Sequence, residues 1–160
     1  IVKRLVGSEM CIRDRNRSED IKQELRKLKL IVTERSSGHK PSENCDVYIV
    51  NTYGEMSKFL RLSNVTFIGG SLVNHGGQNP LEAVRMGNYV MHGKKVNNFK
   101  EIYKELKSLK ISSEIKNIDQ MEKVFVKNHN YKISNSKLNK INYLGAKIFE
   151  NNVKEIKNYL

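Results

Sequence analysis

The chain has 160 residues, of which 38% are hydrophobic and 29% charged, and its formal net charge is +12. That length suits one ordinary domain with its own core and is short for two domains of typical size. No apolar run approaches the roughly 18 residues that a membrane-crossing helix requires, so we expect no such helix within these residues. The two cysteines, Cys11 and Cys45, lack metal-ligand spacing and favour a reducing compartment.

The positive charge suggests an anionic partner, such as a phosphorylated ligand, a membrane surface or a nucleic acid. The lysines are spread along the chain, and no basic block alternates with stacking aromatic residues as in a dedicated RNA-binding module. We therefore expect a solvated basic surface and no nucleic-acid partner. Binding to RNA or to a membrane surface is kept as an alternative.

Residues 1–15 show neither helical nor strand periodicity over a useful length. The segment from Leu5 to Arg15 resembles translated adapter read-through, and foreign segments are excluded from fold reasoning. We therefore expect residues 1–15 to be a non-native extension and residues 16–160 to form the domain.

An amphipathic helix is predicted to begin at Ser18, which suits the N-cap position and is followed by apolar residues at helical spacing. Short apolar runs predict strands at residues 30–32, 47–50, 65–68 and 89–91. Helices are predicted over residues 55–62, from Asn79, from Asn98, and over a long closing segment, 138–160. This alternation indicates an α/β fold, a Rossmann-like parallel sheet with flanking helices.

The most informative stretch is residues 69–87. Two glycines and a serine follow the predicted strand 65–68, and a second glycine pair leads into a helix start. Glycines let a ligand approach the main chain, and a helix start attracts anions. Residues 51–55 also follow a predicted strand, and ligands bind where parallel strands end. We therefore predict one nucleotide-sugar site to which both stretches contribute.

Asn79, Pro80, Leu81 and Glu82 have two interpretations. Asn79 suits the helix cap and Pro80 the first helical position. The carboxylate of Glu82 could accept a fork of hydrogen bonds from the 2′ and 3′ hydroxyls of a ribose. The same spacing also describes a capping box, in which Glu82 bonds back to the Asn79 amide. The spacing alone leaves both open.

Gly54, Glu55 and Met56 open a helix after a strand, so their main chain could meet a base or phosphate while Met56 packs on a ring. An ordinary turn with an acidic first helical residue gives the same pattern. Gly70 and Ser71 are candidates for phosphate contact, although a plain loop serine fits Ser71 equally well. We expect no metal, because the four histidines lack zinc-site spacing: His39, His75, His92 and His129. No cofactor is expected either.

Four ordered blocks, residues 50–56, 67–73, 76–82 and 98–99, resemble the C-terminal half of the 3-deoxy-D-manno-octulosonic acid (Kdo) transferases. The resemblance covers about residues 16–160. It implies the GT-B architecture, in which two Rossmann-like domains face a cleft. It also implies transfer of Kdo from CMP-Kdo to a lipid A precursor, a step of lipopolysaccharide biosynthesis at the cytoplasmic face of the Gram-negative inner membrane. Peripheral contact with that anionic membrane is implied as well.

By this resemblance, Gly54, Glu55 and Met56 hold CMP together with Asn79, Pro80, Leu81 and Glu82, and Glu82 contacts the ribose. Asn51, Met56 and Gln78 stand where the family usually has aspartate, leucine and histidine. The resemblance implies no catalytic residue in this chain, because the family carries its acidic base in an N-terminal domain that also binds the acceptor. The family's Pro-Arg-His segment, whose arginine contacts CMP, is replaced here by Arg13-Asp14-Arg15. We therefore expect weak CMP-Kdo binding and no transfer by the chain alone.

Two alternatives remain from the sequence. One is the nucleotide-binding half of another GT-B enzyme, such as a UDP-sugar transferase or epimerase. The other is the basic RNA- or membrane-surface-binding module, whose binding would weaken steeply with salt.

Overall fold

The structure is a computed structural model that describes residues 5–6, 18–38, 40–41 and 43–157. The chain divides into two compact units, Ile1–Phe59 and Leu60–Leu160. Each unit contains a three-stranded parallel sheet.

The first unit is built around strand β3. Its elements are β1 (Leu5–Val6), α1 (Ser18–Lys27), β2 (Val32–Glu34), a 3₁₀ turn (Arg35–Ser37) and β3 (Val47–Ile49), with α2 (Met56–Leu60) beginning at its end. The strand order is β1-β3-β2, and Val32 and Glu34 of β2 stand opposite Val47 and Ile49 of β3. All three residues of β3 are buried, as expected for a central strand of a parallel sheet.

The second unit has β5 at the centre of its sheet. Its elements are β4 (Val65–Ile68), α3 (Leu81–Arg85), β5 (Tyr89–His92), a 3₁₀ turn (Asn97–Phe99), α4 (Lys100–Ser108), β6 (Ser112–Glu114), α5 (Ile118–Asn128) and α6 (Asn135–Lys157). The strand order is β4-β5-β6, with Val65 opposite Tyr89 and Val90 opposite Ser112. The core includes a cluster of Val65, Tyr89, Met91 and Ile115, and side chains of α5 pack against it.

The parallel strand pairing and flanking helices confirm the predicted α/β class. Strand β4 has the predicted bounds, and α1 begins at Ser18. Strand β2 begins two residues later than predicted, at Val32. The backbone of Ile31 is instead used in contacts to residue 46: its N–H donates to Asp46 Oδ2 over 2.9 Å, and its carbonyl accepts from the Asp46 N–H over 2.9 Å.

The structure differs from the sequence-based expectations in three other places. Strand β6 and helix α5 had not been predicted. Asn98 does not cap α4 with its side chain: it lies in the preceding 3₁₀ turn, and its amide donates to the His75 carbonyl over 3.5 Å. The closing helix α6 begins at Asn135, three residues earlier than predicted.

Residues 1–4 and 7–17 lie outside the described residues, and so do Cys11 and His39. The expectation of a non-native extension over residues 1–15 therefore stays a prediction, with Leu5–Val6 paired to β3. In the part of the chain that the structure describes, no helix combines the length and apolar character needed to cross a membrane.

Candidate functional site

The glycine-rich loop after β4 is held in place by hydrogen bonds. The Gly77 N–H donates to the Gly70 carbonyl over 3.3 Å, and the Asn98 N–H donates to the Gly76 carbonyl over 3.2 Å. Gly76 has φ +78°, and a Cβ there would lie within 2.5 to 2.7 Å of the Asn98 side chain. Only glycine fits that position without rearrangement. The loop is therefore tied to the chain segment that follows β5.

Ser71 is a fully buried part of this loop. Its hydroxyl donates to the Ile68 carbonyl over 2.5 Å and accepts from the Gly93 N–H over 2.8 Å. The hydroxyl hydrogen is thus used inside the protein, and a phosphate oxygen would have to be met by main-chain groups of the loop. The role of Gly70 and Ser71 at a phosphate stays a prediction.

Asn79 and Glu82 lie at the start of α3. Helix α3 begins at Leu81, so Pro80 occupies the cap position that the sequence assigned to Asn79 and is not the first helical residue. The Asn79 Oδ1 still accepts from the Leu81 N–H over 3.0 Å and so satisfies the first N–H of the helix. Pro80 and Leu81 are buried, whereas Glu82 is exposed. Among the described residues, nothing forms a hydrogen bond or an ion pair with the Glu82 carboxylate. The capping box is therefore not formed, and the carboxylate can accept hydrogen bonds from a ligand.

Glu55 in the first unit has the opposite environment. Arg35 donates to it through two nitrogens, Nε to Oε2 over 2.9 Å and Nη2 to Oε1 over 3.0 Å. Thr52 Oγ1 donates to Oε2 over 2.5 Å, and Lys58 Nζ lies 3.3 Å from Oε1. These contacts, with Arg35 first among them, lower the pKa of Glu55 to about 2. Glu55 in turn raises the pKa of Arg35.

Gly54 and Met56 flank this glutamate. Gly54 is exposed with φ +74°, and open space surrounds the position that a Cβ would occupy. Met56 is half-buried and is the first residue of α2. The space on the side of Gly54 where a Cβ would stand is therefore not filled by another part of the protein.

Sequence reasoning missed Arg35 and Asn98 as site residues. Arg35 directly follows β2, whereas Glu55 follows β3 by a few residues. Opposite charges after two neighbouring parallel strands are a signal that could have indicated the Arg35–Glu55 pair. The predicted meeting of residues 51–55 and 69–71 at one sheet edge stays a prediction, because the two stretches belong to different units.

The histidines do not converge in the described part of the chain. His92 is buried, and its Nδ1 lies 2.8 Å from the Gly93 carbonyl, whereas His75 and His129 are exposed. Groups of three histidine, cysteine, aspartate or glutamate residues placed to hold a metal ion are absent from the described residues.

No protein-family model matches the chain. A 3-deoxy-D-manno-octulosonic acid transferase of Haemophilus influenzae is 40% identical over 82 residues, which are 51% of this chain and 19% of that protein. The transferase of the same name from Rickettsia bellii is 31% identical over 130 residues, which are 81% of this chain and 26% of that protein. The chain thus spans about a fifth to a quarter of the length of these relatives.

A solved structure agrees with these relatives. The C-terminal CMP-Kdo binding domain of WaaA from Acinetobacter baumannii matches with a TM-score of 0.66 and 26% sequence identity, covering 70% of this chain and 58% of that domain's chain. The fold is therefore that of one half of a GT-B glycosyltransferase. Within that class, the chain is related to the C-terminal half of the Kdo transferases, which confirms the resemblance seen in its sequence.

Proposed function

We propose that residues 16–160 are the donor-binding half of a Kdo transferase and bind CMP-Kdo, and that residues 1–15 are a non-native extension. Relatives that carry the name of this enzyme, and a structural neighbour that is a CMP-Kdo binding domain, support the proposal. The proposed CMP site is built from Gly54, Glu55, Met56, Asn79, Pro80, Leu81 and Glu82. Main-chain groups of Gly70 and Ser71 are proposed to lie beside the phosphate.

The observation that carries the proposal is the free carboxylate of Glu82 beside a glycine loop that is already ordered. Two carboxylate oxygens suit the paired 2′ and 3′ hydroxyls of a ribose. Asn79 fixes the turn that presents Glu82, since its side chain accepts from the Leu81 N–H. An ordered loop lowers the entropy that a ligand must offset on binding.

The rest of the reaction is assigned to parts beyond this chain. We propose that the acceptor is a lipid A precursor, that an N-terminal domain supplies the acidic catalytic base, and that the full protein works at the cytoplasmic face of the inner membrane. The chain alone is then expected to transfer no Kdo. Its basic surface would favour peripheral contact with anionic lipids at about 1 kcal/mol per nearby lysine or arginine.

The test is a titration of the full chain with CMP, and with UMP as the comparison, followed by backbone amide shifts. We expect saturable shifts at residues 69–78 with CMP and weaker ones with UMP. Glu82→Ala should weaken CMP binding by about tenfold or more, since a hydrogen bond to a charged group contributes roughly 1.5 to 3 kcal/mol. The unfolding free energy should change little, because the carboxylate has no partner among the described residues.

Glu101→Ala is the matched control, because Glu101 is also an exposed acid in the first turn of a helix. It should leave CMP binding at the wild-type level. Equal binding of CMP and UMP would favour another GT-B nucleotide half. If wild-type protein gives no saturable shifts with either nucleotide, the proposed function is wrong for this chain.

A further inference from the structure

We infer that Arg35 is a positioning residue of the donor site, and that Glu55 serves this site by holding its loop rather than by touching the nucleotide. This inference rests on the proposed function. It assigns a task to an arginine that the sequence patterns did not single out, and it gives Glu55 a task different from that of Glu82.

The acceptor sites on the Glu55 carboxylate are already occupied. A carboxylate has about four lone-pair sites on its two oxygens. Oε2 accepts from Arg35 Nε over 2.9 Å and from Thr52 Oγ1 over 2.5 Å. Oε1 accepts from Arg35 Nη2 over 3.0 Å and from Lys58 Nζ over 3.3 Å. The side chain is also only 15% exposed. No site is left for a nucleotide hydroxyl unless an existing bond breaks.

These bonds immobilise the loop that carries Gly54. Thr52 and Glu55 enclose the exposed Gly54, and both are tied to each other through the carboxylate. A further bond joins this loop to the 3₁₀ turn that carries Arg35, because the Ser36 N–H donates to Asn51 Oδ1 over 3.0 Å. The Glu55 carbonyl also accepts from the N–H groups of Lys58 and Phe59 at the start of α2. The loop is thus fixed on both sides of Gly54.

The Arg35–Glu55 pair has a defined geometry. The guanidinium of Arg35 forms a planar fork with the carboxylate, which fixes orientation as well as distance. The 3₁₀ turn that carries Arg35 follows β2, which pairs with β3 in register, so the rigid sheet is the support for the fork. The loop that carries Gly54 is thereby held in one conformation before a ligand arrives.

The experiment compares wild-type chain with Arg35→Ala, Arg35→Lys, the single reversals Arg35→Glu and Glu55→Arg, and the two reversals combined. Arg26→Ala is the matched control, because Arg26 is an exposed arginine of the same unit and is not among the donors to Glu55; it should leave both measured quantities at the wild-type level. Two quantities are measured: the heteronuclear NOE of amides 51–55 without ligand, and the dissociation constant for CMP.

Arg35→Ala should lower the NOE of these amides. If the binding conformation falls to about a tenth of the population, CMP affinity falls about tenfold. Arg35→Lys keeps the charge without the fork, so its NOE values and its CMP affinity should lie between those of wild type and Arg35→Ala. This variant also keeps the test possible if Arg35→Ala does not fold. The combined reversal should bind CMP more tightly than either single reversal, since a held loop needs the pair but not its direction.

Two results would overturn the inference while leaving the proposed function intact: CMP binding that is unchanged in Arg35→Ala and Arg35→Lys, or a combined reversal no better than the single ones. The latter would mean that Glu55 contacts the nucleotide directly. Absence of CMP binding by the wild-type chain would instead remove the proposed function, and the inference with it.

Discussion

Two glutamates at helix starts show how the same residue type takes different roles. The carboxylate of Glu55 accepts hydrogen bonds from Arg35, Thr52 and Lys58. These contacts lower its pKa to about 2, so the group is ionised at physiological pH. Glu82 is exposed and has no such partner among the described residues. A carboxylate without protein partners can be used for recognition, whereas a saturated one is available only for structure. Glu82 is therefore the better target for testing ligand contact.

The protonation of the buried His92 side chain links the stability of the fold to pH. Burial, the largest cause, lowers the pKa of His92 below its ordinary value of 6.5, with a smaller lowering from Lys107 and opposite effects from Gly93 and Glu114. Below pH 6.5 the unfolded chain binds this proton more readily than the folded chain, so His92 removes stability as the pH falls through that window. The loss levels off below the folded-state pKa.

The measurement is the urea unfolding free energy of wild type and His92→Gln, from about pH 7.5 down to about pH 5.5. The wild type should lose more stability than the variant over this range, whatever their difference at neutral pH. An identical pH dependence of the two proteins would show that His92 does not take up a proton preferentially in the unfolded chain.

At the scale of elements, the glycine loop depends on a close approach between two segments. Lys95 N–H donates to the Ser71 carbonyl over 2.7 Å, and Gly93 N–H donates to the Ser71 hydroxyl. A Cβ on Gly93 would collide with the Ser71 carbonyl and would lie 2.7 Å from Leu72 Cδ2. The backbone at Ser71 cannot move away without breaking these bonds.

Gly93→Ala should therefore destabilise the protein by about 1 to 3 kcal/mol, the usual cost of overpacking, and shift the amide signals of the loop. Gly69→Ala is the control, because Gly69 is exposed and has no atom within 4 Å of the Cβ position, so its cost should stay within about 0.5 kcal/mol. Urea unfolding monitored by circular dichroism measures both. Similar costs for the two variants would contradict the close approach.

The elements also show what the sequence can and cannot predict. The run Val65–Ile68 combines β-branched and aromatic residues and became β4 with the predicted bounds. Strand β6 is Ser112–Glu114, whose polar residues carry no such signal; it is a strand because it pairs with β5. Helix α5 did carry a signal in the sequence, because Asn117 and Gln120 have the spacing of a capping box. In the structure Asn117 Oδ1 accepts from the Gln120 N–H, and Gln120 Oε1 accepts from the Lys116 N–H.

Some features of the candidate site can likewise be predicted from the sequence, and others cannot. The contact between Asn79 and Leu81 follows from local sequence, because the two residues are neighbours in the chain. The glycines of the loop are visible in the sequence, but the bonds that hold the loop to Gly93, Lys95 and Asn98 are not. The state of Glu82 did not, since a capping box and a free carboxylate have the same spacing. The Arg35–Glu55 pair joins residues 20 positions apart and requires the pairing of β2 with β3. Such contacts depend on tertiary structure, which single-sequence patterns do not contain.

At the scale of the whole molecule, the net charge of +12 is the property that competes with a specific function. Ion pairs in the described residues involve the cations of Lys22, Arg35 and Lys58 and leave a large positive excess. Such a surface attracts any polyanion, in proportion to the number of phosphates it contacts. A mononucleotide offers a single phosphate, so charge alone gives it little affinity.

We therefore expect CMP and a single-stranded RNA to respond differently to salt. An RNA that makes about five phosphate contacts should lose roughly a hundredfold in affinity between about 50 and about 200 mM salt, whereas CMP should lose only a few fold. Fluorescence anisotropy for the RNA and calorimetry for CMP measure both affinities on wild type and Glu82→Ala. The substitution should weaken CMP binding, because it removes a ribose contact. It should not weaken RNA binding, because it raises the net positive charge by one. RNA binding that resists salt and depends on Glu82 would favour a nucleic-acid module over the donor-binding half.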